Sequence, residues 1–489
     1  MGIVFKQSLR NTFIIYFAFA IGGVNALFLY THFLEDQYYG LVTFLLSSAN
    51  LLMPLTAFGV QYAIIKFYSS YKIAAQRDRF LSSSLLIPLF IALPIGVFGA
   101  IFYDQISTYL SVENPIVKEY VFLIYIVALL TAYFEIFYAW SKVQLQSVFG
   151  NLIRELFSRV AAMILLILVY YKLIDQRAFV YWLSFAYLLR MLLMMGYAFY
   201  LKKPKFTWKL PDNYNQIFRY SLYIILAGSA GTILLDIDKF MIPQKEMLAQ
   251  VAYYAVAVYI GSVVETPGRA MAQIIQPLTA KALNENNHKE IGSLYHKSHI
   301  NLFLISGFVF LLINTNLKEL YQIIPEKFSG GIWVVLMIST AKLYHMFLGN
   351  NGAIISNSKY YKILLPYGIV MAISVIVLNY WLIDLIGIDG AALSTLLVVL
   401  VFDTLKIAYV KKKFGLLPMN SKTYVLLLLL AVFFLLFYFW DFNFHPIINI
   451  LLKSSLLSVL YLWAAVSFRI APEAVLVWNQ FKNYFLKRG

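Results

Sequence analysis

Runs of about 20 apolar residues recur along almost the whole chain and constrain its fold more than any other feature. A run of this length matches the α-helix needed to cross the roughly 30 Å hydrocarbon core of a bilayer. Only 13% of the 489 residues are charged, against roughly 25% in a soluble domain. The sequence therefore predicts an all-α polytopic membrane protein. It excludes a soluble enzyme, a disulfide scaffold and an outer-membrane barrel of short alternating strands.

Hydropathy predicts about fourteen membrane spans separated by short polar loops. The predicted spans lie near residues 11–31, 40–63, 82–103, 119–140, 156–171, 179–201, 220–243, 251–277, 299–316, 332–354, 363–383, 391–410, 423–440 and 447–467. The first apolar run continues to Tyr30, which is too long for a cleaved signal peptide, so we expect this span to be retained.

The distribution of Lys and Arg predicts the orientation. With a cytoplasmic N-terminus, the cytoplasmic loops and tails carry more than four times as many Lys and Arg residues as the opposite side. Because these residues concentrate in cytoplasmic loops, both termini are expected in the cytoplasm. The net charge of +16 has the same explanation, so we expect no nucleic acid partner.

Loop lengths and a weak internal repeat predict two six-span lobes. The segments 34–41 and 248–255 join spans 1–2 and 7–8, and they share a Leu and a Tyr when aligned. Internal repeats of this kind are typical of secondary transporters, so alternating access at a cavity between the lobes is expected. The predicted parts are an N-lobe (1–203), a cytoplasmic hinge loop (204–219), a C-lobe (220–413), spans 13 and 14 (414–467) and a cytoplasmic C-terminal tail (468–489).

Motifs for catalysis are weak. The chain contains no P-loop motif, which excludes ATP hydrolysis at such a site. Asp236-Ile-Asp238 matches a glycosyltransferase pattern, but it lies at the outer end of a span, where nucleotide sugars are absent. His296 and His299 have a zinc-like spacing without a third ligand nearby. We therefore predict no catalytic residue and no metal site.

Charged residues inside the spans are the candidate functional residues, because each costs about 2.5–3.5 kcal/mol on insertion. Arg190 lies near the middle of span 6 and either lines a cavity or pairs with Glu135 of span 4. Glu265 and Arg269 of span 8 are one turn apart around Pro267, so they either pair with each other or mark a helix break at a substrate site.

Other charges extend this set. Lys342 and His345 share one face of span 10, and two aspartates close span 7. Deep cations favour an anionic substrate, because Arg grips phosphate oxygens in a bidentate fork and Lys adds a point charge. The predicted substrate-binding residues are Arg190, Arg269, Lys342, His345, Lys66 and Arg159, of which the last two are alternatively ordinary cytoplasmic anchors. The predicted ion-coupling or gating residues are Asp236, Asp238, Glu265 and Glu135.

Several short motifs resemble the multidrug/oligosaccharidyl-lipid/polysaccharide (MOP) exporter superfamily, and in particular its polysaccharide transporter branch of Wzx-type flippases. They are Leu9-Arg-Asn-Thr12, Gln37-Tyr-Tyr-Gly-Leu41, Phe58-Gly-Val-Gln-Tyr-Ala63, Asp236-Ile-Asp-Lys-Phe240, Val251-Ala-Tyr-Tyr-Ala255 and Gln276-Pro277. In the fifth motif, Ala252 and Ala255 replace the Gly and Ser that are usual in that branch.

The resemblance implies a flippase in the bacterial inner membrane. Its substrate would be an undecaprenyl-pyrophosphate-linked oligosaccharide, moved from the inner to the outer leaflet for cell-surface polysaccharide synthesis. The implied partners are the bilayer, this lipid-linked glycan and other polysaccharide-assembly membrane proteins. No cofactor is implied beyond H+ or Na+ as a coupling ion, for which a carboxylate such as Asp236 is a candidate site.

Three alternatives stay open at this point. They are a lipid II flippase of peptidoglycan synthesis, a MATE-like drug antiporter and a membrane polymerase or ligase. The third alternative is disfavoured because all predicted outer loops are short, so an enzyme is not expected.

Spans 13 and 14 are expected to be peripheral. The segment Tyr424–Trp440 contains one small residue, Ala431, and tight packing between membrane helices needs small residues. We therefore expect loose packing, with either a groove for a polyprenyl tail and Lys453 near a headgroup phosphate, or two ordinary peripheral spans without such a role.

Overall fold

The computed structural model describes residues 3–442 and 444–470, and every regular element in these ranges is a helix. The first ten α-helices are α1 (Ile3–Val24), α2 (Tyr30–Phe33), α3 (Asp36–Ala57), α4 (Val60–Phe67), α5 (Ala74–Ile101), α6 (Tyr103–Leu110), α7 (Val117–Val143), α8 (Val148–Leu152), α9 (Ser158–Tyr170) and α10 (Gln176–Leu201). The others are α11 (Tyr214–Met241), α12 (Leu248–Ser262), α13 (Thr266–Asn284), α14 (His288–Asn314), α15 (Leu317–Ile323), α16 (Ile332–Phe347), α17 (Asn351–Asn357), α18 (Leu364–Phe414), α19 (Ser421–Tyr438) and α20 (Pro446–Ser467). The predicted tail falls largely on residues 471–489, outside the described ranges.

Twelve helical segments of the described chain are long and apolar enough to cross a membrane. The prediction of an all-α polytopic membrane protein is thereby confirmed. Predicted spans 11 and 12 both fall within α18, which is interrupted at Ile386 and Gly387. Predicted span 5 corresponds to α9, which has only 13 residues and follows a π-helical turn, residues 153–157. The count of fourteen spans stays a prediction.

The chain divides into two compact units. The first unit contains residues 1–255 and 365–391, and the second contains residues 256–364 and 392–489. The three boundaries between the units fall inside two helices, one in α12 and two in α18, and they differ from the lobe boundaries expected from loop lengths. The predicted lobes therefore stay a prediction, and the two units are described separately below.

The core of the first unit is aromatic and is centred on α7. Trp140 and Phe134 are fully or almost fully buried. The ring of Phe199 from α10 meets Trp140 and Phe137 edge-on, with centroid distances of 5.9 Å and 5.5 Å. Edge-to-face rings add to the stability from burial alone, so this cluster fixes α10 against α7.

A two-residue break separates α3 from α4 near the end of the predicted second span. Phe58 and Gly59 both have positive φ, 47° and 65°. A Cβ at Gly59 would lie 2.7 Å from Cγ2 of Ile224, so the missing side chain lets α11 approach the break.

The second unit corrects the expectation for span 13. One face of α19 packs tightly, since Leu426 and Phe437 are at most 1% exposed, whereas Leu428 on the opposite face is 66% exposed. The small residue that permits this contact lies on the partner helix α14: a Cβ at Gly307 would approach Leu430 Cδ2 to 2.8 Å. Loose packing was therefore the wrong expectation, because a tight contact needs a small residue on only one of the two helices.

The place of Lys453 in span 14 led us to expect it near a lipid headgroup. This expectation is also wrong. The Nζ of Lys453 lies 2.6 Å from Glu319 Oε1, and it donates a hydrogen bond to the Thr315 carbonyl at 3.0 Å. Both charged side chains are at most 4% exposed. The buried ion pair joins α20 to α15, and it accounts for a lysine in an otherwise apolar helix.

Candidate functional site

Six charged or titratable side chains of the second unit form two contact groups that share helix α16, and together we call them the charge row: Arg269, Glu265, Lys342, His345, Asp403 and Lys406. Glu265 Oε1 lies 2.6 Å from Arg269 Nη2, and Glu265 Oε2 lies 2.6 Å from Lys342 Nζ. Asp403 Oδ2 lies 2.8 Å from His345 Nδ1, and Asp403 Oδ1 lies 2.8 Å from Lys406 Nζ. Lys342 and His345 are three residues apart on α16, which connects the two halves of the row.

The backbone around Glu265 explains how residues from α13, α16 and α18 come together in the charge row. After α12 the chain tightens into a 3-10 turn, residues 263–265, and α13 then begins with Pro267 in its first turn. A proline is tolerated there because the first amides of a helix have no internal acceptor. The predicted break in span 8 is thus present. It places Glu265 at a helix junction, where its carboxylate reaches α16.

The charge row borders a cavity of about 410 Å³, whose lining includes Glu265, Arg269, His345 and Lys406. The Arg269 side chain is 43% exposed, whereas that of Asp403 is 4% exposed. The cations are therefore more accessible than the carboxylates that hold them. Gln276 and Ser356 add uncharged hydrogen-bonding groups to the wall.

The row contains two residues that sequence reasoning missed, Asp403 and Lys406. A signal was available, because both lie three residues apart inside predicted span 12, in the otherwise apolar stretch from Thr395 to Val410. What sequence cannot show is that α18 brings this pair to α16, where Asp403 meets the predicted His345.

Arg190, in the first unit, is buried, with 7% of its surface exposed. Its guanidinium lies over the Phe134 ring at 3.9 Å and donates a hydrogen bond to the Arg154 carbonyl at 3.5 Å. Its Nε has no hydrogen-bond partner in the described part of the chain. The alternative of an Arg190–Glu135 pair is not observed: Glu135 lies 3.4 Å from Arg154 Nε instead.

Two other predicted cations of the first unit have separate surroundings. Arg159 pairs with Glu155 at 3.3 Å, one turn earlier on the same helical stretch. Lys66 is exposed, and its Nζ lies 3.9 Å from the centre of the Tyr220 ring. Both environments fit residues near the ends of spans, and neither residue is part of the charge row.

The two aspartates that close predicted span 7 differ in their partners. Asp236 Oδ1 lies 3.1 Å from Lys239 Nζ, and its Oδ2 accepts a hydrogen bond from Asn50 at 3.2 Å. Asp238 is 3% exposed and accepts hydrogen bonds from the Tyr254 hydroxyl and, at 2.7 Å, from the Asn379 amide. The amide oxygen of Asn379 is itself buried without a hydrogen-bond partner among the described residues.

His296 and His299, which have a zinc-like spacing in the sequence, contact different parts of the second unit. His299 is fully buried; its Nδ1 lies 2.5 Å from the Phe347 carbonyl and its Nε2 2.9 Å from Thr423 Oγ1. His296 Nδ1 lies 2.8 Å from the Pro418 carbonyl. Within residues 3–442 and 444–470, no group of three or more His, Asp and Glu side chains has a geometry that could hold a metal ion. Both imidazoles serve to connect α14 to its neighbours.

Comparison with known families assigns the chain. Residues 8–273, just over half of its length, match the sequence profile of the family described as polysaccharide biosynthesis protein. The chain therefore belongs to this family. No curated protein matches the sequence.

Solved structures of other proteins share the fold of this chain. The lipid II flippase MurJ, in an inward closed conformation, aligns with a TM-score of 0.68 and 14% identity over 94% of this chain and 99% of that chain. An inward-facing multidrug resistance MATE family transporter of the MOP superfamily aligns with a TM-score of 0.58 and 14% identity, over 85% of this chain and 95% of that chain. A MOP superfamily transporter from Pyrococcus furiosus aligns with a TM-score of 0.53 and 12% identity, over 86% and 98% of the two chains. The chain has the MOP fold, as predicted.

Proposed function

We propose that this protein is a flippase that moves a polyprenyl-diphosphate-linked oligosaccharide across the bacterial inner membrane. The observation that carries the proposal is the charge row at the wall of a cavity. Family membership favours a role in polysaccharide synthesis, and the MOP fold favours transport over catalysis. The diphosphate would bind at the charge row, the sugars would occupy the adjoining cavity and the polyprenyl chain would stay in the bilayer.

The charge balance of the row favours an anionic substrate. Arg269, Lys342 and Lys406 outnumber the carboxylates of Glu265 and Asp403, and protonation of His345 would add a further positive charge. A guanidinium binds phosphate oxygens in a planar fork, and ammonium groups add point charges. A cationic drug would be repelled by the same groups, which disfavours a MATE-like antiporter.

The cavity is also of a suitable kind for a sugar. Its volume of about 410 Å³ lies within the usual range of ligand pockets, roughly 300–1,000 Å³. Gln276 and Ser356 present exposed amide and hydroxyl groups that can hydrogen-bond sugar hydroxyls. This supports binding of the headgroup of a glycolipid rather than of a bare phosphate.

The proposal is tested by reconstitution of the purified protein in liposomes with a panel of labelled substrates. The panel contains a fluorescent polyprenyl-diphosphate oligosaccharide, fluorescent lipid II and a lipophilic cationic dye, and a membrane-impermeant quencher reports movement between leaflets. We expect faster exchange of the oligosaccharide lipid than in protein-free liposomes. Movement of lipid II alone would identify the runner-up function, and movement of the dye alone would contradict an anion site.

We further propose that transport is coupled to H+ or Na+ at Asp238 in the first unit. The Asp238 carboxylate is buried and accepts hydrogen bonds from the Tyr254 hydroxyl and the Asn379 amide nitrogen, and the Asn379 amide oxygen is buried without a hydrogen-bond partner among the described residues. Asp236, the earlier candidate, is neutralised by Lys239. Asp238→Asn should abolish the dependence of transport on a Na+ or H+ gradient, whereas Asp236→Asn should retain it. Retained gradient dependence in Asp238→Asn would exclude this site.

A further inference from the structure

We propose that the carboxylates of Glu265 and Asp403 compete with the substrate diphosphate for the basic groups of the charge row. Phosphate oxygens would replace carboxylate oxygens at these groups during transport. This inference rests on the proposed function, since it concerns how the same site binds and releases its ligand. It assigns the two carboxylates a role in substrate release rather than in binding.

Every carboxylate oxygen of the charge row contacts a basic group. Each of the two oxygens of Glu265 contacts one cation, at 2.6 Å in both cases, and each oxygen of Asp403 contacts one basic group, at 2.8 Å in both cases. These distances are typical of charge-assisted hydrogen bonds, which are about twice as strong as neutral ones. A diphosphate would make contacts of the same type with the same groups, so it must displace the carboxylates.

The accessibility of the partners indicates which contacts can exchange. The side chains of Arg269 and His345 are 43% and 49% exposed, whereas those of their carboxylate partners are 15% and 4% exposed. An anion in the cavity can therefore reach Arg269 and His345 and replace the carboxylate oxygens that contact them. Lys342 and Lys406 are less exposed and keep the displaced carboxylates neutralised.

Built-in competition has a physical advantage for a transporter. Four basic groups without counterions would bind a diphosphate too tightly to release it, and buried cations without partners would be costly. A carboxylate that returns to the cation as the phosphate leaves lowers the barrier to release. Removing the carboxylate charge should thus strengthen binding and slow transport together.

The test is the affinity of the detergent-solubilised full-length protein for inorganic diphosphate, measured by isothermal titration calorimetry. Glu265→Gln and Asp403→Asn keep the size and one oxygen acceptor of each side chain and remove only its charge. We expect each variant to bind diphosphate about tenfold tighter than the wild type, the change that corresponds to one charge-assisted contact. In the reconstituted assay both variants should move the oligosaccharide lipid more slowly.

The matched control is Glu285→Gln, which changes the net charge of the protein by the same amount. Glu285 is exposed, lies 3.9 Å from Lys281 and is not part of the cavity lining, so its loss should leave the affinity unchanged. Equal tightening in Glu285→Gln would reduce the effect to net charge and overturn the inference.

The two proposals fail in different ways. Diphosphate binding that is unchanged or weaker in both Glu265→Gln and Asp403→Asn overturns the competition inference but leaves the flippase proposal standing. Absence of diphosphate binding in the wild type and in both variants contradicts the anion site itself, and with it the proposed function. A melting temperature within a few degrees of the wild type confirms that each variant is folded, and two variants on different helices guard against the failure of one.

Discussion

The buried pair Glu319–Lys453 gives the sharpest stability prediction. We consider Lys453→Met, which keeps a long unbranched side chain and removes its charge, and Glu319→Gln, which keeps the size of its partner and removes the charge. Both side chains are at most 4% exposed and lie 2.6 Å apart. Because the pair joins α15 to α20, its loss should loosen the C-terminal helix from the second unit.

The expected magnitude follows from what each variant leaves behind. Lys453→Met strands the Glu319 carboxylate in an apolar place, where its Oε2 already has no hydrogen-bond partner among the described residues. Removing one partner of a buried pair costs about 3–5 kcal/mol, since the remaining charge is uncompensated. In the double variant no charge is stranded, so its loss in the free energy of unfolding should be well below the sum of the two single losses.

The assay is reversible unfolding in mixed micelles, followed by the fluorescence of tryptophans such as Trp463 on α20. We expect strongly non-additive losses in the free energy of unfolding. The loss in the double variant should be close to the smaller of the two single losses. Additive losses, or a loss below about 1 kcal/mol for Lys453→Met, would show that the pair is solvated rather than buried. The conclusion that Lys453 is buried in an ion pair, and not near a headgroup phosphate, would then be refuted.

Three other predictions follow from the described packing and the charge distribution. Gly59→Ala should lower the free energy of unfolding by about 1–2 kcal/mol, because an L-residue is strained at φ 65° and its Cβ would press on Ile224; Gly99→Ala, whose Cβ meets nothing within 4 Å, is the control, and equal effects would contradict the reasoning. Gly307→Leu should separate α19 from α14 and lower the melting temperature, measured by the same fluorescence, and an unchanged value would contradict the tight contact. Reporter fusions should show both termini in the cytoplasm, and an external C-terminus would refute the orientation derived from Lys and Arg.

Part of the candidate site was predictable from residue spacing alone. Glu265 and Arg269 at i, i+4 and Lys342 and His345 at i, i+3 are on common helix faces in any α-helix, and Pro267 marks the junction. These local relations need no knowledge of tertiary structure. They are therefore the same in the structure, where all four residues belong to the charge row.

The tertiary partners could not be read from spacing. Lys453 looked like a headgroup contact because only its depth in span 14 was known, and Glu319 on a short separate helix gave no sign of the pairing. Leu430 looked loosely packed because the small residue opposite it, Gly307, lies on another helix. For Arg190 the sequence left two interpretations open, a cavity lining or a pair with Glu135. In the structure its guanidinium instead lies over the Phe134 ring.

The central claim is that the charge row binds the anionic headgroup of a transported glycolipid, and Arg269→Ala tests it most directly. The measurement is the rate at which reconstituted protein exchanges a fluorescent polyprenyl-diphosphate oligosaccharide between leaflets, compared with wild type and with Lys281→Ala, an exposed cation on the same helix, 72% exposed. The account predicts that Arg269→Ala reduces the rate to that of protein-free liposomes while Lys281→Ala keeps the wild-type rate. Wild-type exchange by a folded Arg269→Ala protein would contradict the account.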